Sequence, residues 1–124
     1  MKTGYGFLLS ILLLFGCSAA PEKQKVVHDF EQLFSQKVGE GMQSIIISVV
    51  PGEGDADNIY EHVKFDVVAQ KDIVIKKDWF EGMSFNKGDR LYGGEVVILY
   101  QKNKDAHWSP TRHNLQRKPS AKSQ

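Results

Sequence analysis

The sequence predicts an α+β fold, in which one N-terminal amphipathic helix packs on a small, mostly antiparallel sheet of about four strands. Two observations indicate this class. Apolar residues recur every three or four positions over residues 26–38, which is typical of a helix with one buried face. In the segments that follow, the apolar period changes to two, as in strands. The chain has 124 residues, enough for one small domain.

The helix is predicted over Val26–Val38, where the apolar side chains form a single stripe. The stripe consists of Val26, Val27, Phe30, Leu33, Phe34 and Val38. Gly39 and Gly41 follow it, and glycine is the usual residue where a helix ends in a left-handed turn. We expect the stripe to pack on the sheet; a partner-binding face is the alternative.

Three longer strands are predicted after the helix. Gln43–Val50 is β-branched and largely apolar on both faces, which indicates a central strand. The composition of Pro51–Asn58 is that of a loop. Tyr60–Val68 alternates apolar and charged residues, and a turn leads from it into Ile73–Lys77, so these two segments are predicted to form a hairpin. Glu95–Gln101 is the last apolar strand.

The first 17 residues have the features of a secretory signal peptide. Lys2 gives the chain a positive start, and Phe7–Phe15 is a short run of apolar residues interrupted only by Ser10. A helix that spans a bilayer needs about 20 apolar residues, and this run is about half of that. We therefore predict a signal peptide at residues 1–16.

The end of the apolar run carries a short motif, Leu14-Phe15-Gly16-Cys17. It resembles the processing box of bacterial lipoproteins, in which a leucine and two mostly small residues precede an invariant cysteine; Phe15 is larger than is usual there. The resemblance implies cleavage before Cys17 and a covalent lipid anchor on its sulfur. In that family Ser18, being a residue other than aspartate, implies sorting to the outer membrane. We expect a lipid-anchored protein that faces the periplasm.

Four segments follow from these observations. Residues 1–16 are the signal peptide, and residues 17–25 are the lipidated cysteine with a flexible tether. Residues 26–101 form the α+β domain, and residues 102–124 form a basic, partly disordered tail. The tail carries six lysines and arginines against one aspartate, whereas residues 18–101 are acidic overall. The tail is either a solvated terminus or an arm that docks on an anionic surface.

Catalytic and metal-binding patterns are not found in the sequence. Cys17 is the only cysteine and is assigned to the lipid, which excludes an intramolecular disulfide and a cysteine-based zinc site. The acidic stretch 53–58 resembles the start of a calcium loop, but Lys64 stands where the later glutamate is needed. The histidines are scattered along the chain: His28, His62, His107 and His113. We expect no enzyme, no metal, no cofactor besides the lipid and no small-molecule substrate.

Six residues are candidates for contact with a partner protein: Trp79, Phe80, Trp108, Arg112, Arg117 and Lys118. The three aromatic side chains lie in segments without a regular period, where large rings often mark contact surfaces. Burial in the core is the other interpretation of these aromatic residues, and it is the favoured one. The three basic residues belong to the tail. A nucleic-acid partner is not expected, because the signal directs the chain out of the cytoplasm.

Several short motifs of the mature chain occur together in one known family: His28-Asp29-Phe30, Phe34-Ser35, Lys37, Pro51 and Val67–Ile75. In these motifs the chain resembles the CsgE family of curli secretion adaptors. The loop that follows the proline in that family, which bears arginine and tryptophan, is replaced here by Gly52–Asn58. The resemblance implies a non-enzymatic adaptor that guides subunits to an outer-membrane secretion channel.

The expected function is therefore protein binding. We expect an outer-membrane lipoprotein, held to the membrane through Cys17, that acts as an accessory or assembly factor of an envelope machine of the secretion, pilus or curli type. The alternative is a protective lipoprotein, such as an immunity protein, inhibitor or exclusion factor directed against a toxin, lytic enzyme, phage or plasmid.

Overall fold

One helix and a four-stranded antiparallel sheet dominate the part of the chain that the computed structural model describes, residues 20–121. The elements in chain order are α1 (Lys23–Val38), β1 (Met42–Gly54), β2 (Asn58–Ala69), β3 (Ile73–Val74), β4 (Ser84–Phe85), β5 (Arg90–Lys102) and β6 (Trp108–Arg117). The sheet has the order β1-β2-β5-β6, and β3 pairs with β4 in a separate ribbon. The predicted α+β class is confirmed. The processing motif, residues 14–17, lies outside the described residues.

The apolar stripe of α1 packs on the sheet, as its period predicts. Val26, Phe30, Phe34 and Val38 are the buried residues of the helix. The ring centroids of Phe30 and Phe34 lie 4.9 and 6.2 Å from the ring centroid of Phe65 in β2. The helix ends at Gly39, which adopts a φ of +87° and donates its N–H to the carbonyl of Ser35. Within residues 20–121, no helix is long and apolar enough to cross a membrane.

The three aromatic candidates for partner contact are core residues instead. Trp79, Phe80 and Trp108 are 7 %, 1 % and 7 % exposed. The backbone N–H of Trp79 donates to the carbonyl of Lys37 near the end of α1, and its ring stacks at 6.1 Å from that of Phe65. Burying a large apolar side chain stabilises a fold by about 1.5–3 kcal/mol, which favours an irregular segment folding back over the core. The prediction of a contact surface is wrong for these rings.

Two predictions about strand neighbours are also wrong. Gln43–Val50 belongs to β1, which lies at the edge of the sheet and not at its centre. Ile73–Val74 does not form a hairpin with β2 but pairs with Ser84–Phe85. Both sides of β2 are already occupied, by β1 and β5, so a third partner has no place. The expected loop 51–58 is shorter than predicted, because β1 continues to Gly54.

The ordered domain extends past both predicted boundaries. Trp108–Arg117, assigned above to a basic tail, forms β6 and pairs antiparallel with β5. This strand escapes a pattern search because its sequence is mostly polar, and Pro110 is tolerated there because edge strands need not donate every N–H. At the other end, Lys23 begins α1, Pro21 is buried and Ala20 packs against the core. The predicted tether 17–25 is therefore wrong from residue 20 onward.

Candidate functional site

The sheet has two faces, and α1 covers only one of them. Along β2, the alternate residues Ile59, Glu61, Val63, Phe65, Val67 and Ala69 are buried on the helix side. Tyr60 and His62 point to the opposite side, which we call the open face. Val97 and Leu99 of β5 lie on the open face as well, because they stand directly across from His62 and Tyr60.

A trough of about 620 Å³ runs across the open face. Its lining comes from all four strands of the sheet: Glu53, Tyr60, His62, Glu95, Val97, Leu99, Arg112, His113, Asn114 and Gln116. Val97 and Leu99 form its floor and are 9 % and 6 % exposed, although neither belongs to the main core cluster beneath α1. The trough is therefore an apolar floor with a polar and charged rim.

One end of the trough is acidic. His62 Nδ1 lies 3.3 Å from Glu95 Oε2, and His62 Nε2 lies 3.9 Å from Glu53 Oε2. The imidazole thus lies between carboxylates of β1 and β5, and only the Glu95 carboxylate is within hydrogen-bond distance. The ring also occupies the space beside Gly52 where a Cβ would stand, so a larger residue at that position of β1 would require the His62 ring to move. This end offers carboxylate oxygens and one imidazole to a ligand.

The opposite wall of the trough is basic. Arg112 of β6 stands across from Leu99, and among the described residues no ion-pair partner is found for its guanidinium. Arg117 and Lys118, the other two basic candidates from the sequence, are exposed but do not line the trough. Arg117 stands instead beside Glu95, its cross-strand partner. The structure thus brings one of the six predicted contact residues into the candidate site.

The trough is suited to binding. Its apolar floor can receive one or two apolar side chains, because two steps along a strand cover only about 6.6–6.8 Å. The rim supplies hydroxyl, amide and charged groups that can orient a ligand. The lining contains a His–Glu pair but no serine, threonine or cysteine that could serve as a nucleophile.

Sequence reasoning missed most of the trough. The floor residues Val97 and Leu99 lie in Glu95–Gln101, where apolar residues occupy both faces of the strand. This pattern could have indicated the floor, because packing against the helix requires only one apolar face of β5 and leaves the second apolar face unexplained. The rim could not be found in the same way, since Tyr60 and Arg112 become neighbours only through the strand order.

The acidic β1–β2 connection is a turn. Asp55 Oδ1 accepts hydrogen bonds from the backbone N–H groups of Asp57 and Asn58, both at 2.9 Å. These bonds, together with one from the Asn58 side chain, hold the pKa of the Asp55 carboxyl below its usual range. Over residues 20–121, no group of three or more histidine, cysteine, aspartate or glutamate side chains could hold a metal ion.

The chain was compared with protein-family models, with curated proteins and with solved structures, and none of them matches it. Two of the helix motifs that resemble CsgE have structural roles here. Phe30 and Phe34 lie in the core, and Asp29 accepts a hydrogen bond of 2.7 Å from the phenol of Tyr100.

Proposed function

We propose that this protein is a non-enzymatic, lipid-anchored protein of the bacterial outer membrane whose trough binds a segment of an envelope protein. In this role it is an accessory or assembly factor of a secretion, pilus or curli apparatus and faces the periplasm. The anchor rests on the lipoprotein-like motif Leu14-Phe15-Gly16-Cys17. The binding role rests on the trough.

The observation that carries the proposal is the trough on the open face, with its small apolar floor and its polar and charged rim. Val97 and Leu99 are apolar on the side of the sheet that no described element covers. Val97 and Leu99 are only 9 % and 6 % exposed, so a segment laid across them would gain little from apolar burial and would be held mainly by the polar rim. Hydrogen bonds to Tyr60 and Asn114 would then fix its orientation.

The charges of the rim indicate which segment fits. Arg112 offers a guanidinium on one wall for which no ion-pair partner is found among residues 20–121, and this favours a carboxylate of the ligand. Glu53 and Glu95 at the acidic end favour a cationic or hydrogen-bond-donating group. We therefore expect an extended peptide with a central apolar residue, an acidic residue toward β6 and a basic or polar residue toward β1.

Site-specific photo-crosslinking in the native host tests this function. A photo-reactive amino acid at Asn114, on the rim, is expected to give an adduct of defined mass with an envelope protein. The same amino acid at Gln24, exposed on α1, is the matched control and should give none. Arg112→Glu should weaken the Asn114 adduct at least tenfold. Equal adducts from both positions, or none from Asn114, would count against the trough as the binding site.

The identity of the captured protein separates the two functional classes. A component of a surface apparatus supports the assembly role, and deletion of the gene should then abolish a surface structure. A toxin, a lytic enzyme or a phage protein would replace this role by the protective one. In that case deletion should leave surface structures intact and sensitise the cell to attack.

A further inference from the structure

The two edges of the sheet differ in how well they are protected. An edge strand exposes a row of unpaired N–H and C=O groups, and proteins usually guard such edges with charges, prolines or bulges. β6 is guarded in all three ways: it carries Arg112 and Arg117, contains Pro110 and has two irregular steps in its register with β5. Self-pairing at β6 would bring together two strands that each carry two arginines and no acidic residue.

The other edge, β1, is long and carries a single charged residue, Glu53, near its end. β1 has 13 residues, and no charged side chain occurs from Met42 to Gly52. Its guards are a bulge between Ile46 and Ser48 and an irregular end that includes Pro51. Between these features the strand is β-branched and apolar, which is the composition that pairs most readily with a further strand.

Apolar side chains of β1 are left in solvent. Ile47 is 56 % exposed and Val50 is 54 % exposed, and both belong to this strand. A strand that is apolar on both faces is typical of the interior of a sheet, where it has a neighbour on each side. Among residues 20–121, β1 has one neighbour, β2. The composition of β1 is therefore that of a strand with a second partner.

A second copy of this chain fits the free edge. Two β1 strands paired antiparallel over residues 42–52 oppose no like charges, and the added strand continues the antiparallel order of the sheet. The symmetry is a two-fold axis perpendicular to the sheet, which closes the assembly at two copies. Both α1 helices then lie on one side of an eight-stranded sheet, and both troughs lie on the other.

We infer that the protein forms a homodimer through the outer edges of β1. This inference is independent of what the trough binds. Under the proposed anchoring it gains one further support. Ala20 packs against the helix-side core, so both chains enter the dimer near that side and both anchors can reach one membrane. Confinement of two copies to the same membrane raises their effective concentration and favours a pairing that would be weak in dilute solution.

Light scattering on the full mature protein, purified from host membranes in mild detergent, tests the dimer. The protein mass, after correction for detergent, is expected to be twice that of one chain and to fall to one chain on dilution. Ile47→Glu is expected to raise the dissociation constant at least tenfold, because it places two carboxylates at the shared edge. Val74→Glu is the matched control: Val74 is 55 % exposed but lies in β3, which pairs with β4 and not with β1, so the dimer should persist.

Circular dichroism establishes that both variants fold, which is expected because both positions are exposed. If Ile47→Glu fails to fold, Val50→Glu takes its place. Hydrogen exchange gives a second readout, since the β1 amides that point away from β2 should be protected in the wild type and exchange faster in the edge variant. A monomer at every concentration, or a dimer that both edge variants leave intact, overturns the inference. If the protein is monomeric and its β1 amides become protected only when envelope extract is added, the edge binds another protein. That result also overturns the homodimer.

Discussion

At the scale of single residues, Glu61 has the most unusual environment. It is 2 % exposed in the middle of β2, and no hydrogen-bond partner among the described residues is found for its Oε2. Burial raises the pKa of its carboxyl above the usual 4.5, against a smaller opposing effect of His62. Burial, together with the hydrogen bond to Asp29, likewise raises the pKa of Tyr100. The core thus contains polar groups that favour their neutral forms.

We expect Glu61 to make the protein less stable as the pH rises. Because its pKa is higher in the folded than in the unfolded chain, folding is favoured below about pH 4.5 and loses this contribution as the pH rises through the folded pKa. Glu61→Gln cannot ionise, so its melting temperature should exceed that of the wild type at pH 8 and approach it at pH 4. Thermal unfolding at both pH values measures this difference.

Glu31→Gln, on the exposed side of α1, is the control and should follow the wild type at both pH values. A Glu61→Gln variant whose difference from the wild type does not change with pH would show that the buried carboxyl is not the titrating group.

At the scale of elements, the contact between β2 and β5 depends on a glycine. Gly94 stands across from Phe65, and the ring atoms of Phe65 lie 2.6–2.9 Å from where a Cβ of residue 94 would be. Phe65 is fully buried, with Phe30 at 4.9 Å and Trp79 at 6.1 Å. The ring therefore has no room to move away, and β5 can pass it only with a residue that lacks a side chain.

Gly94→Ala is expected to destabilise the fold by about 1–3 kcal/mol, the usual cost of adding a methyl group to a packed core. Urea denaturation measures the loss. In a Phe65→Leu background the same substitution should cost less, because the smaller side chain leaves space for the methyl group. An equal cost in both backgrounds would place the clash somewhere other than the Phe65 ring.

The helix and strands also differ in how well the sequence predicts them. Helix α1 and the buried parts of β2 and β5 follow from local period, because each has a face that must be apolar. The edge position of β1 and the existence of β6 do not, since the local pattern contains no information on neighbours, and β6 is mostly polar. For Trp79 and Trp108, composition could not distinguish burial from contact. The trough could not be predicted either, because its lining comes from four strands and the local pattern does not tell which strands are neighbours.

At the scale of the whole molecule, the proposed anchor predicts a specific modification. In the native host, clickable palmitate should label the wild type, and the label should fractionate with the outer membrane. Cys17→Ser should remain unlabelled, because Cys17 is the only thiol of the chain. Label in the inner membrane alone would contradict the predicted sorting. The absence of label from both proteins would make residues 6–16 a plain signal peptide or an anchor, and would favour a free adaptor.

The packing of Ala20 against the core limits how far the domain can stand from a membrane. Cys17 precedes Ala20 by three residues, and an extended chain spans at most about 3.6 Å per residue. The lipidated cysteine can therefore lie at most about 11 Å from Ala20. Ala20 shares a surface hollow with His107 and Trp108 at the β5–β6 turn, which also carries Lys102 and Lys104. With Cys17 in the bilayer, this lysine-bearing turn would sit at the phospholipid headgroups, so an envelope machine would have to meet the domain at the membrane surface.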